Sequence, residues 1–477
     1  MTRTRLLAVL LALVGLVAGS PAVPVTAAPA KAVIVVGVDG HDTSRAVERA
    51  GGEVERVLDV VGGVAATLTE RAVRAVEDAG YDVVSDVPAR VTSTGFDKQG
   101  RLVQLAALNP SSSNRTVGAG VGVALLDTGV ATSPDFGDRV AIGPDLSGEG
   151  DGIDRYGHGT FMAGLIVGSE TGVAPAAHLV SVKVAGRDGS TMLSTVLDGL
   201  DWIVQTRDEF DTRIVSISLA VDPFAVASID PLAIAVEFLT ARGMLVVAAS
   251  GNTAGMVAAP GIAPSALTVG ATVHNDTAST SDDVVAAWSG ANGTKPEVVA
   301  PGAAIISVRA PGSTIDTVFP GARVGDRRFR GSGTSMATAL TAGAAAVVAE
   351  QAPDATPSEL KSMLVRGARA IAGGAKTVDL RGSEKIAAET VVVDTTLVGT
   401  GVTGTITWTG SRWAGSRWAG TAWSGSRWAG SRWAGSRWAG SRWAGSTWSG
   451  SRWAGSRWAG SRWAGSRWAA SEFVSTP

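Results

Sequence analysis

The chain of 477 residues has no cysteine, four histidines, seven lysines and two tyrosines. Without cysteine there is no disulfide framework, no thiolate zinc site and no cysteine nucleophile. Four histidines leave little room for a multi-histidine metal centre, so no metal ligand and no cofactor is assigned. The chain also lacks an overall charge bias, with a formal net charge of −2. That balance hides an asymmetry. From Trp408 onward there are ten arginines and one glutamate, while the rest holds 31 basic and 42 acidic residues. An acidic body carries a basic tail.

Long apolar runs are missing too, with one exception. Leu6 to Val17 is almost unbroken, follows Arg3 and Arg5, and precedes the small-residue stretches Val25-Thr26-Ala27 and Ala28-Pro29-Ala30. This is the pattern of a secretory signal peptide over residues 1–27, and the run is short for a membrane span of about 20 residues. The expectation is a secreted protein, soluble or retained at the cell surface by something other than a helix.

Four zones follow. Residues 31–90 read as strand (Lys31–Val36), helix (Thr43–Ala50), a β-branched stretch broken at Gly62-Gly63 (Val54–Leu68), helix (Thr69–Ala79, Thr69 as N-cap) and strand (Tyr81–Val87). That is the split βαβ order of a small ferredoxin-like α+β domain. Residues 91–116 are a polar linker. Residues 117–372 alternate apolar strands with helices: strands at 121–126, 179–184, 214–219, 244–249 and 266–269, helices at 193–205, 231–241 and 335–350. Near-continuous apolar strands between helices predict an α/β fold, doubly wound around a mostly parallel sheet. Residues 373–407 read as a second linker. Over 408–470 a Gly-Ser-Arg-Trp-Ala unit repeats, with tryptophan at every fifth position from Trp408 to Trp468.

Three motifs in the α/β zone carry chemistry. An apolar strand ends in Asp127-Thr128-Gly129; parallel sheets gather active sites at the carboxyl ends of their strands, although a turn aspartate is a common alternative. His158 is flanked by glycines in Gly157-His158-Gly159-Thr160, before a helix of small residues; a lone histidine is more often structural. Gly331-Ser332-Gly333-Thr334-Ser335 ends in a serine that opens an apolar helix. Such a hydroxyl is usually an N-cap, yet the helix N-terminus also favours an oxyanion formed beside it. A fourth element, Ser250-Gly251-Asn252, closes a buried strand with an amide side chain able to donate to that oxyanion.

Singly these are weak; together and in this order they are specific. The chain resembles the subtilisin-type serine endopeptidases, through DTG at 127–129, GHGT at 157–160, SGN at 250–252 and GTSMA at 333–337. Gly172-Val-Ala-Pro175 and Lys295-Pro-Glu-Val-Val-Ala-Pro-Gly302 add to the likeness, which covers residues 117–372. Asp, His, Ser is the chain order of the subtilisin triad. The resemblance implies Ser335 as nucleophile, His158 as base, Asp127 as its orienting carboxylate and Asn252 as oxyanion donor. It also implies Ser218, Leu219, Ala220, Ser250 and Gly251 along the substrate, a polypeptide as that substrate, and residues 31–90 as an inhibitory propeptide. Calcium is common in the family, but no acidic loop is assigned to it. Three positions depart from the family pattern. Ala339 stands for a proline, Phe161 for a second histidine, and Ala220 for a glycine on the substrate-edge strand. They bear on specificity and efficiency rather than on the catalytic groups.

The tail fits no single-faced element. A period of five spreads tryptophan around a helix and alternates it across a strand. The readings left open are a low-complexity extension, a β-solenoid, and an anchor whose arginines meet an anionic cell-surface polymer or lipid while its tryptophans favour the interface. No nucleic-acid partner is expected of an exported chain. Rivals to a general secreted endopeptidase are a catalytically silent surface-binding homologue and a processing protease with a single substrate.

Overall fold

The computed structural model describes residues 29–91, 117–221, 228–274 and 281–388, and the backbone of 418–419 and 443–444. The expected signal peptide, most of the linker at 91–116 and nearly all of the repeat tail lie outside the described residues. Two units are separated near Val392.

The first unit opens with β1 (Ala30–Val36), α1 (Gly40–Arg49), β2 (Glu53–Leu58), β3 (Gly63–Thr69), α2 (Glu70–Asp78) and β4 (Asp82–Ser85). The strands form an antiparallel sheet in the order β2-β3-β1-β4. Local chemistry sets its boundaries. The Asp39 carboxylate caps α1 by accepting the N–H groups of His41 and Asp42, each at 3.0 Å. Gly62 turns the chain between β2 and β3 with φ 55°, in the left-handed region that favours glycine. Thr69 caps α2 through the Ala72 N–H, as expected from the sequence. Alternation in β1 serves two layers. Val33 and Val35 pack under α1 and α2 with Val47, Leu68 and Val76, while Ile34 and Val36 join a core shared with the rest of the unit.

The chain continues with β5 (Pro88–Val91), β6 (Gly122–Asp127), β7 (Val140–Asp145), α3 (His158–Val167), β8 (His178–Lys183), β9 (Ser190–Met192) and α4 (Leu193–Gln205). Then come β10 (Thr212–Ile217), β11 (Leu219–Ala220), α5 (Pro231–Ala241), β12 (Leu245–Ala249), β13 (Leu267–Val273), β14 (Val284–Val285) and β15 (Val298–Pro301). The last are β16 (Ile305–Val308), α6 (Thr314–Val318), β17 (Arg323–Val324), β18 (Arg328–Gly331), α7 (Thr334–Gln351), α8 (Pro357–Gly367), β19 (Arg369–Ala370) and β20 (Lys376–Thr377). The main sheet runs β7-β8-β6-β10-β12-β13-β15-β20-β19. Every pair along this path from β7 to β20 is parallel; the edge strand β19 and the short β14, which pairs with β13 off the path, are antiparallel.

Both faces of this sheet are covered. All six residues of β6 are buried. Val123 and Leu125 belong to the layer of α3, α7 and α8, whereas Ala124 and Leu126 belong to the layer of α4 and α5. That two-sided burial explains why the strand reads as continuously apolar instead of alternating. Helix α7 is buried on every side from Thr334 to Ala349, which suits its run of alanines and glycine.

Helices α4 and α5 have the limits expected from the sequence. The expected boundary at 372 is too early. β20 extends the main sheet, and Val378, Leu380 and Ala387 are buried in the core beside α7 and α8. The stretch read as a linker from 373 is therefore packed as far as 388, because its apolar residues are too few to announce a strand and helix in isolation. In the second unit, β21 (Trp418–Ala419) and β22 (Trp443–Ala444) pair in parallel.

Gly164 in α3 shows how tightly the layers meet. A Cβ there would lie 2.3 Å from Ser307 Oγ and 2.7 Å from Val308 Cγ2 on β16. Gly164→Ala is expected to destabilise the fold by about 1–3 kcal/mol, read as a lower urea midpoint in a Ser335→Ala background that prevents self-digestion.

Candidate active site

The candidate residues gather at the carboxyl ends of the parallel strands. Asp127 is the last residue of β6, and His158 is the first of α3. His158 Nδ1 lies 2.8 Å from Asp127 Oδ1 and 3.0 Å from Oδ2, with both side chains buried. A carboxylate only accepts, so Nδ1 carries the proton and Nε2 of the neutral ring keeps its lone pair. Nε2 is buried and has no hydrogen-bond partner. This is the tautomer a general base needs.

Glycine makes this meeting geometrically feasible. A Cβ on Gly159 would sit 2.1 Å from Gly129 O, so α3 starts directly on the turn that follows Asp127. Gly157, at φ 106°, turns the chain into the helix where a side chain would strike Ser313 and Ile315.

One buried carboxylate organises both segments. Asp154 Oδ1 accepts Thr128 Oγ1 (2.8 Å), Tyr156 N (3.1 Å) and Gly157 N (2.6 Å). Its Oδ2 accepts Thr160 N (2.8 Å) and Thr160 Oγ1 (2.6 Å). Thr128 Oγ1 in turn accepts the Gly159 N–H at 2.9 Å, and Thr160 Oγ1 accepts the Ala131 N–H at 2.9 Å. Burial pushes the Asp154 carboxyl above its ordinary range, and these hydrogen bonds oppose the shift.

A buried ammonium steadies the loop that leads to Asp154. Lys183, at the end of β8 and paired in register with Asp127, donates to Glu149 Oε2 and to Ile153 O, both at 2.7 Å. Asp145 lies 3.5 Å from the same ammonium. Burial works to raise Glu149 and Asp145, yet both are held below the usual carboxylate range. The Lys183 ammonium and the Arg187 N–H outweigh burial at Glu149, as the Ser147 hydroxyl and the N–H groups of Gly152, Asp151 and Ser147 do at Asp145.

Ser335 is the second residue of α7 and is buried. The N-cap position belongs to Gly333, which has no side chain to cap the helix. The hydroxyl is therefore not consumed as a cap; it makes a weak 3.5 Å contact with Met336 Sδ. Asn252 follows the left-handed Gly251 (φ 92°) beyond β12. Its Oδ1 accepts Thr334 N at 2.9 Å and Thr334 Oγ1 at 3.0 Å. A backbone N–H can only donate, so this pair fixes which end of the amide is oxygen and turns Nδ2 away from Thr334. Ser218 Oγ donates to Ser335 O at 3.5 Å. Ser250 is tied to the main sheet through its N–H to Val269 O.

An extended segment lies along this edge. β5 pairs antiparallel with β11 on one side (Val91↔Leu219, Arg90↔Ala220) and with β9 on the other (Arg90↔Ser190, Ala89↔Thr191, Pro88↔Met192). Val91 N donates to Gly189 O at 3.1 Å. Ala89 is fully buried while Arg90 is exposed, the alternation of a bound strand. A Cβ on Gly189 would meet both Tyr156 and Val91 Cγ2. Tyr156 and Gly189 therefore wall the place of the Val91 side chain, two residues from His158.

The sequence reading thus finds Asp127 and His158 joined, and Asn252 and Ser218 beside the Ser335 helix. It missed Asp154, Thr334, Lys183, Tyr156 and Gly189. A carboxylate four residues before His158 and a lysine closing an apolar strand were the available signals. Phe161, at the family's second histidine, is among the largest fully buried side chains. Ala339 is buried within α7. Among the described residues no group of three or more His, Asp or Glu side chains is arranged to hold a metal ion.

The fold and the geometry at its strand ends together have the subtilisin architecture. Residues 118–395 match the subtilase peptidase family, and the chain belongs to it. It is 38% identical over 271 residues to the serine protease AprX of Bacillus subtilis (strain 168), across 52% of this chain and 61% of AprX. It is 34% identical over 287 residues to subtilisin Savinase of Lederbergia lenta, across 59% of this chain and 94% of Savinase. Its fold resembles that of fervidolysin from Fervidobacterium pennivorans, with a TM-score of 0.60 and 19% identity across 75% of this chain and 61% of fervidolysin.

Asp154→Asn would turn an amide N–H toward donors that need an acceptor. The expected cost is about 2–4 kcal/mol of stability and roughly tenfold or more in turnover as His158 loses its placement. Thermal unfolding and steady-state kinetics of the same preparation check both.

Proposed function

We propose that this chain is an exported serine endopeptidase that hydrolyses peptide bonds through Asp127, His158 and Ser335, and that it is made in an autoinhibited form. Ser335 Oγ attacks the scissile carbonyl while His158 Nε2 takes its proton and later gives it to the leaving amine. Asp127 holds the ring and offsets the charge of the imidazolium. The Asn252 amide and the Ser335 N–H, at the positive end of α7, bind the oxyanion. Substrate is read as a strand between β9 and β11, with Ser218, Leu219 and Ala220 on one side and Ser250 and Gly251 toward the reacting bond.

The observation that supports this most strongly is β5. The chain already holds an extended peptide of its own at the candidate site, and that peptide is tethered to the βαββαβ unit. In this reading residues 30–91 form a ferredoxin-like propeptide domain that blocks the site until it is released. A parallel sheet built on distant contacts folds slowly, so a preformed partner for α4 and α5 also speeds folding. The register of β5 against β11 leads to self-cleavage one residue beyond the paired segment, after Thr92.

A fluorophosphonate probe is expected to label the mature protein at Ser335, and Ser335→Ala to abolish both labelling and release of the N-terminal unit. N-terminal sequencing of the mature protein is expected to begin at Ser93. A wild-type protein that stays unlabelled after its N-terminal unit is removed would favour the catalytically silent reading.

The tail is proposed to hold the enzyme at an anionic surface, arginines on the polymer or headgroups and tryptophans at the interface. Deleting residues 408–477 is expected to abolish salt-sensitive retention on cell-wall or anionic-lipid preparations. Equal retention of both forms would reject anchoring.

A further inference from the structure

The N-terminal unit and α4 meet through an unusual carboxylate. Asp201, on the covered face of α4, accepts the Val60 N–H at 2.7 Å through Oδ1. Its Oδ2 is buried without any hydrogen-bond partner, and the residue is 5% exposed. The surroundings are apolar: Val60, Val61, Leu197, Leu200 and Leu232 are all buried in one shared cluster.

Among the described residues no cation answers this carboxylate. The charges of Asp59 on the N-terminal unit and of Asp198 one turn earlier on α4 both repel it. Arg56 of β2 turns to Asp198, at 3.1 Å. Other charged groups on the elements packed against α4 are engaged or lie outside the contact. Glu55 accepts from Thr67, Glu237 of α5 accepts from Ser265, and Asp127 and Lys183 serve the loops of the candidate site. Glu53 and Arg90 are exposed. At the other end of the interface Asp86 accepts the Ser194 N–H and hydroxyl at 2.9 and 2.7 Å, a fully satisfied cap with no such conflict.

We propose that Asp201 is a proton-operated latch: seating the N-terminal unit on α4 draws a proton onto this carboxylate, so acid holds the unit down and rising pH loosens it. Burial pushes Asp201 up to about 7, with the Asp59 and Asp198 charges adding to the shift and the Val60 and Asp59 N–H groups opposing it. With the unit lifted, α4 faces water and the carboxyl returns toward its ordinary value near about 4. The seated state therefore binds the extra proton. Its advantage is full below the free value, falls as pH rises through the interval between the two, and is gone above the seated value. Between pH 5 and pH 8 the seating equilibrium is expected to weaken by roughly 10- to 100-fold.

The inference rests on the propeptide reading only for its biological use, and the test needs no catalysis. Amide hydrogen exchange is followed in the full chain carrying Ser335→Ala, with protection corrected for the intrinsic pH dependence of exchange. Val60 and its neighbours are expected to lose roughly 10- to 100-fold of protection from pH 5 to pH 8, while amides of β12 serve as the internal reference. Adding Asp201→Asn, which keeps the acceptor for Val60, is expected to flatten that dependence. Asp59→Asn, which leaves α4 intact, is expected to shrink it without reversing it. Protection at Val60 that does not fall with pH, or that falls equally in Asp201→Asn, overturns the latch. Failure of self-cleavage or of Ser335 labelling in the wild-type chain would instead count against the propeptide reading.

Discussion

The structure depends on one close approach, that of the α3 N-terminus onto the turn after β6. Nothing but backbone fits there, because a Cβ on Gly159 would overlap Gly129 O. That contact brings His158 Nδ1 within hydrogen-bond reach of Asp127. Residues 31 positions apart thus become one unit whose imidazole is oriented before any substrate arrives. The surrounding polar groups exist to hold it. Thr128 and Thr160 tie the two segments to Asp154, and Lys183 braces the loop that delivers Asp154. A buried carboxylate with five donors is costly to desolvate but tightly fixed, which suits a group whose task is geometric.

The sheet explains why the other parts arrive at the same edge. Parallel strands end together, so Asp127 at the end of β6, Lys183 at the end of β8, Ser218 after β10 and Asn252 after β12 emerge on one side. Helix α7 points its N-terminus at the same edge, with Gly333 rather than a side chain at the cap. The Ser335 hydroxyl is thereby not the helix cap, and the first N–H, that of Thr334, is taken up by Asn252. Thr334 does for Asn252 what Asp127 does for His158, taking up one end of a side chain so that the other is correctly presented.

Much of this was legible in the sequence, for identifiable reasons. The central strands β8, β6, β10, β12 and β13 are buried on both faces and read as largely apolar runs, and α4, α5 and α7 show helical patterning with clear ends. The glycine-flanked motif reads as a short local word because Gly159 meets the Gly129 backbone and Gly157, at φ 106°, meets the Ser313 and Ile315 side chains. What escaped notice was whatever depends on the third dimension. Asp154 looks like any loop acid, and Lys183 like a polar residue closing a strand. Residues 376–388 carry too few apolar positions to be recognised before the core they complete is present. The passage of β5 between β9 and β11 leaves no mark on the sequence of Pro88–Val91 itself.

The N-terminal unit is joined to the rest by apolar surface together with two carboxylates, Asp86 and Asp201, placed at opposite ends of α4. In the proposed enzyme that unit guards the edge where the Asp127–His158 pair, Asn252 and Ser335 come together. The central claim is that these groups act as one machine, and a crystal structure of the mature chain phosphonylated at Ser335 tests it most directly. The account predicts His158 Nε2 and Asn252 Nδ2 each about 3 Å from oxygens of the adduct, with the Asp127–His158 hydrogen bond intact. An adduct oxygen that meets neither group, with His158 turned away from Ser335, would contradict it.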